Sequence, residues 1–328
     1  FRSAEDVATL RNGWAHISYE VRGSSTQTTQ LGRLAATADA FLSGLRSLLT
    51  SREARPNEAT LTFKDDAAYR RFLARAQTAG LNVIGQLDGL RTVRVRFDRI
   101  AAVQKDLLAH PGDYADAAAN NYLRIPDRLT KANRADVNNL PFRDPALAFL
   151  GATGDRSTWG RGVTLAILDS GVNALDPTFT GRVRTIDVGA GSLPATDTTS
   201  GHGTGVAALA AGIAADAPGI APAANIISIR VTAADGLSDI FTVAQGILAA
   251  VDAGAKVINI SLGGYVTSNV LLAAIDYAES KGALIVAAAG NDGSATVREY
   301  PAAEGEYGLL AVTASAACWN SSAEMYSR

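Results

Sequence analysis

Four short, largely apolar runs, Val163–Leu168, Asn225–Val231, Lys256–Ser261 and Leu284–Ala289, constrain this chain most. None alternates apolar with polar residues, so none suits a sheet with one face in water; continuous runs of this length fit strands covered on both faces. Helical patterns separate them: one directly after His202, one over Ser238–Ala253 and one over Ser268–Lys281. Strand and helix in alternation predict an α/β domain built on a doubly wound, mostly parallel sheet. Such sheets bind ligands at the carboxyl ends of their strands.

The chain before Gly162 reads differently. Residues 1–57 form an extension with a predicted helix over Leu31–Leu49 and no assignable chemistry. From Ala59 an apolar-alternating run reaches Phe63, Asp65 and Asp66 stand as caps, and a helix carries Tyr69, Phe72, Leu73 and Ala76 until Gly80. Leu81–Leu87 and Thr92–Phe97 flank Asp88-Gly89, a pair that favours a tight hairpin. A helix from Asp98 stops at His110-Pro111-Gly112, and Tyr122–Ile125 supplies a last short strand. The predicted order β-α-β-β-α-β over residues 58–126 is that of a small α+β, ferredoxin-like domain. Residues 127–150 read as a linker, and 151–328 as the α/β domain.

With 328 residues, 47% hydrophobic and 19% charged, the chain is long enough for two cores of unequal size. Net charge is −2, so nothing global points to nucleic acid. Residues 1–150 nevertheless carry 21 Lys and Arg against 16 Asp and Glu, and residues 151–328 carry 9 against 16. Cys318 is the single cysteine, which excludes a disulfide within the chain and leaves the redox compartment unread. There is no apolar run of the ~18 residues a membrane span requires, and a monomer without nucleic-acid or membrane partners is expected.

Three motifs carry chemistry. Asp169 closes the first apolar run in Leu168-Asp169-Ser170-Gly171, where its carboxylate would emerge at a strand's carboxyl end. His202 stands in Ser200-Gly201-His202-Gly203-Thr204-Gly205, among glycines that let backbones approach closely, at the start of an alanine-rich helix. Asn291 follows the last apolar run in Ala288-Ala289-Gly290-Asn291. His16 and His110, the other histidines, have no such setting. A phosphate loop at Gly201–Gly205 would need a Lys-Ser/Thr pair or a G-x-G-x-x-G spacing, and has neither.

In this order the three motifs resemble those of the subtilisin-like serine peptidases. The resemblance implies a subtilisin-like fold and an Asp-His-Ser triad in which Asp169 orients His202. His202 moves the proton of the nucleophilic serine, and the Asn291 amide donates to the oxyanion. It also implies that Ser261-Leu262-Gly263-Gly264 pairs with an extended peptide or protein substrate and walls its specificity pocket, with large apolar side chains expected there. Residues 58–126 then resemble an inhibitory propeptide, a partner of the catalytic domain, and the localisation implied is secreted or exported.

Two departures from the family stand out. The loop that often holds calcium is short here, Asp216–Asn225, with Asp216 its one carboxylate against the 6–8 oxygens calcium usually takes; no cofactor or metal is expected. Serines remain at Ser315, Ser321, Ser322 and Ser327, none in the Gly-Thr-Ser setting of the nucleophile, so the chain as it stands is expected to be inactive. The alternative is a pseudoprotease or peptide-binding protein that holds extended peptides without cleaving them.

Overall fold

The computed structural model describes residues 42–125, 147–148, 150–179, 181–188, 201–214, 218–291, 298–304, 309–312, 317–319 and 325–327. Most of the 127–150 linker, Asp216, and Ser315, Ser321 and Ser322 lie outside these residues, as does the first part of the Leu31–Leu49 helix. The chain divides into two compact units, Phe1–Tyr122 with Ser268–Val270, and Leu123–Thr267 with Leu271–Arg328.

In the first unit, helix α1 (42–49) precedes β1 (Ala54–Phe63), α2 (Asp66–Arg75), β2 (Leu81–Leu87), β3 (Thr92–Phe97), α3 (Ile100–Ala109) and β4 (Tyr114–Arg124). The strands pair antiparallel in the order β2-β3-β1-β4, a split β-α-β arrangement. Asp65 caps α2 by accepting a hydrogen bond from the Ala68 amide at 2.7 Å. One face of the sheet buries Leu61, Phe63, Val93, Val95 and Phe97 against Phe72, Val103 and Leu107 of the helices, and Leu45 and Leu49 of α1 join this core.

The sequence reading needs three corrections in this unit. β1 begins at Ala54, five residues before the expected start, and β4 runs for 11 residues where a short strand at Tyr122–Ile125 was expected. Asp88-Gly89 does not make a two-residue turn: Asp88–Leu90 forms a single 3-10 turn, and Arg91 takes the left-handed conformation at φ 49°. Apart from these corrections, the face of β3 opposite the core carries an ion-pair cluster. Glu58, with its side chain 4% exposed, accepts hydrogen bonds from Arg94 Nε at 2.8 Å, Arg96 Nη2 at 2.9 Å and Asn120 Nδ2 at 3.1 Å.

The second unit is built on six parallel strands in the order β11-β10-β9-β5-β7-β6. They are β5 (Thr164–Asp169), β6 (Val183–Asp187), β7 (Asn225–Arg230), β9 (Val257–Ile260), β10 (Leu284–Ala288) and β11 (Leu309–Val312). A short strand, β8 (Leu237–Asp239), leads into α5, and β12 (Ala317–Trp319) pairs with β13 (Met325–Ser327). The helices are α4 (His202–Ala211), α5 (Ile240–Asp252) and α6 (Asn269–Ser280).

Both faces of the sheet are covered, as the apolar runs require. Ile167 and Ile226 pack with Ala207 and Ala211 of α4 on one face. On the other, Leu168 and Val231 lie so close to α5 that a Cβ on Gly246 would come within 2.8 Å of Val231 Cγ1. Asp239 starts α5 by accepting from the Thr242 amide at 2.9 Å. The doubly wound parallel sheet anticipated from the apolar runs is the fold observed.

Candidate active site

Because the strands are parallel, their carboxyl ends share one edge. Leu168, Ile260 and Ala287 lie in one row across β5, β9 and β10. Asp169 therefore ends β5 at the edge where Ser261–Gly264 leaves β9 and Gly290-Asn291 leaves β10. Adjacent strands are ~4.8 Å apart, so three segments read as chemical in the sequence emerge from neighbouring strands.

Asp169 is completely buried, and its Oδ1 accepts the Ser170 amide at 2.7 Å. His202 is the first residue of α4, and its Nδ1 lies 2.8 Å from Asp169 Oδ1 and 3.0 Å from Oδ2. An ionised carboxylate accepts hydrogen bonds and donates none, so Nδ1 carries its hydrogen toward Asp169. That tautomer leaves Nε2 as the basic nitrogen, on the far side of a ring whose side chain is 29% exposed.

The glycines of the histidine motif divide by role. Gly201 caps α4 in the left-handed conformation at φ 63°. A Cβ on Gly203 would overlap the Gly171 carbonyl oxygen and come 3.1 Å from Asp169 Cβ, so only glycine lets the first turn of α4 approach the end of β5 this closely. Nothing crowds Gly205. Further hydrogen bonds fasten helix to strand end: Gly203 N donates to Ser170 Oγ at 3.1 Å and Asn173 N to Thr204 Oγ1 at 2.9 Å. From inside the sheet, Ser228 Oγ of β7 accepts the Val172 amide at 2.9 Å. Sequence reasoning passed over Ser228, whose signal was a hydroxyl within an isoleucine-rich strand.

Ser261 accepts a hydrogen bond from Asn259 Nδ2 at 2.8 Å, and Leu262 is fully buried. Gly263 and Gly264 offer their backbones on both sides. Gly263 N donates to Arg124 O at 2.9 Å and its carbonyl accepts from Arg124 N at 2.8 Å, while Gly264 exchanges bonds with Tyr300 at 3.0 and 2.7 Å. Ile125 N adds a bond to Gly236 O at 3.1 Å. Residues from Leu123 onward belong to the second unit, so a stretch of this chain already lies extended along Gly263. Asn291 is exposed, just after Gly290 at φ 92°.

Among the described residues no cluster of three or more His, Cys, Asp or Glu is placed to hold a metal ion, and no helix is long and apolar enough to cross a membrane.

The model of the Subtilase family, Peptidase S8, matches residues 160–328, just over half of the chain. The chain belongs to the subtilase family. This subtilase is 42% identical over 150 residues to thermitase of Thermoactinomyces vulgaris, an alignment covering 44% of the chain and 52% of thermitase. It is 36% identical over 154 residues to subtilisin BL of Lederbergia lenta, covering 46% of the chain and 55% of that protein. The chain thus spans about half the length of these relatives.

Among solved structures, fervidolysin of Fervidobacterium pennivorans, described as a keratinolytic enzyme related to subtilisin, superimposes with a TM-score of 0.60 at 23% identity, over 77% of this chain and 42% of that one. The epidermin leader peptide processing serine protease of Staphylococcus aureus gives 0.58 at 20% identity, over 77% and 68%. At that identity the likeness concerns fold. Its extent exceeds the family match, so it takes in residues before Gly160.

Proposed function

We propose that this subtilase is an exported serine endopeptidase precursor that hydrolyses peptide bonds through an Asp-His-Ser triad. One observation carries the reading: a fully buried carboxylate, Asp169, holds His202 through Nδ1 at 2.8 Å. His202 Nε2 accepts the proton of a serine hydroxyl as that oxygen attacks the peptide carbonyl, then returns it to the leaving amine. Asp169 keeps the ring in the required tautomer and stabilises the imidazolium. Asn291 donates its amide to the oxyanion, and Ser261–Gly264 receives the substrate as an added strand.

The first unit acts as the propeptide in this proposal, with Leu123–Ile125 held in substrate-like fashion along Gly263. Expressed from its full reading frame, the protein should hydrolyse denatured protein substrates and be labelled by a fluorophosphonate, with both activities lost in His202→Ala. A second reading, peptide binding without cleavage, draws on the same pairing of Arg124 with Gly263. It predicts peptide binding by a protein that the fluorophosphonate does not label.

A further inference from the structure

The chain laid along Gly263 presents a side chain as well as a backbone. Arg124 exchanges both backbone hydrogen bonds with Gly263, at 2.9 and 2.8 Å, and Ile125 N donates to Gly236 O. The guanidinium carbon of Arg124 lies 5.8 Å from the centre of the Tyr265 ring, within the ~6 Å over which a ring attracts a cation. Gly263 itself has no side chain to set against the residue it pairs with. Tyr265 follows it by two residues, the separation that brings a diagonal neighbour within reach of long side chains, and it is 42% exposed. Arg124, Gly263 and Tyr265 all belong to the second unit.

We infer that Tyr265 is a specificity-determining residue, favouring substrates with arginine or lysine at the position that pairs with Gly263. The inference rests on the proposed function, in which Leu123–Ile125 occupies the place of substrate. Backbone pairing supplies affinity to any extended chain, so discrimination comes from side chains. The face of an aromatic ring is negative: it draws a guanidinium or ammonium group, gains less from a neutral side chain of the same shape, and repels a carboxylate. Arginine adds a planar group that stacks on the ring, which places it above lysine. Arg124 has other interactions besides these, so the share of Tyr265 is read from paired variants rather than from Arg124 alone.

The test uses the protein expressed from its full reading frame and internally quenched peptides reproducing residues 119–132, varied only at the Arg124 position: Arg, Lys, citrulline and Glu. Citrulline keeps the shape of arginine without its charge. Values of kcat/KM should fall in the order Arg, Lys, citrulline, Glu, with Arg about three- to tenfold above citrulline. Tyr265→Ala should bring that ratio close to one, whereas Tyr265→Phe, which keeps the ring and loses the hydroxyl, should retain it. In the chain itself, amide exchange at Arg124 and Gly263 should speed severalfold in Tyr265→Ala, but not when Arg124→Gln is already present. Equal rates for Arg and citrulline, an Arg advantage that survives Tyr265→Ala, or amide exchange indifferent to Tyr265 would overturn the inference and leave the endopeptidase reading intact. Peptide binding without hydrolysis or labelling, stronger for Arg than for citrulline only while Tyr265 is present, would support the inference on the peptide-binding reading. Absence of hydrolysis, labelling and peptide binding together would overturn both.

Discussion

Gly203 sits where the first turn of α4 meets the carbonyl oxygen of Gly171 and the side chain of Asp169. Adding one methyl group there pushes against backbone, which cannot rotate aside as a side chain can. Gly203→Ala should therefore separate His202 from Asp169. Misplacement by ~1 Å costs about 10²-fold in rate, so fluorophosphonate labelling should slow by at least that factor while far-UV circular dichroism stays unchanged. Asp169→Asn keeps the shape of the site but presents the wrong partner to Nδ1. A loss of about 10⁴ in kcat is expected, as for a triad aspartate in general. Asn291→Ala should lower kcat by about 10²–10³ with little change in KM, the size recorded for an oxyanion donor in subtilisin. Equal losses in substrate binding would assign Asn291 to the substrate instead.

At the level of elements, the Glu58 cluster joins β1, β3 and β4. Burial pushes the Glu58 carboxyl upward, but hydrogen bonds from Arg96, the Arg94 charge and Asn120 outweigh it and hold the group below its ordinary value of 4.5. A lowered carboxyl contributes stability that is complete above the unfolded value and lost as pH falls through the folded one. Amides of β1 and β3 should thus exchange faster with solvent as pH drops below about 4.5, after correction for intrinsic rates. In Glu58→Gln this extra acid sensitivity should vanish, at a cost of about 2–3 kcal/mol at neutral pH.

These elements also mark what could be read beforehand. β5, β7, β9 and β10 announced themselves because burial on both faces leaves little room for polar residues. Asp169 and His202 stood out because close backbone approach demands glycine next to functional groups. β4 did not, since Tyr114–Arg124 is rich in alanine and asparagine, residues of low strand preference; pairing with β1 overrides that preference.

On the scale of the whole molecule, the proposed function makes Leu123–Ile125 a tethered competitor for the segment at Gly263. A covalently attached ligand has an effective concentration in the millimolar range, enough to hinder weak peptides. Arg124→Pro removes the amide that bonds to Gly263 O. It should tighten binding of an added extended peptide by about tenfold, if losing one strand bond weakens the competitor by ~1.4 kcal/mol. The order of strands has a consequence for how the molecule is made. β2 and β3 pair within a single turn of chain, whereas Leu165 of β5 must find Ile226 and Val257, 61 and 92 residues later. On a ribosome the first unit has its strands in hand while β5 still has two bare, apolar edges. Such non-local pairing is slow and prone to sticking to neighbouring chains, so crowding during synthesis should reduce the yield of the second unit well before that of the first.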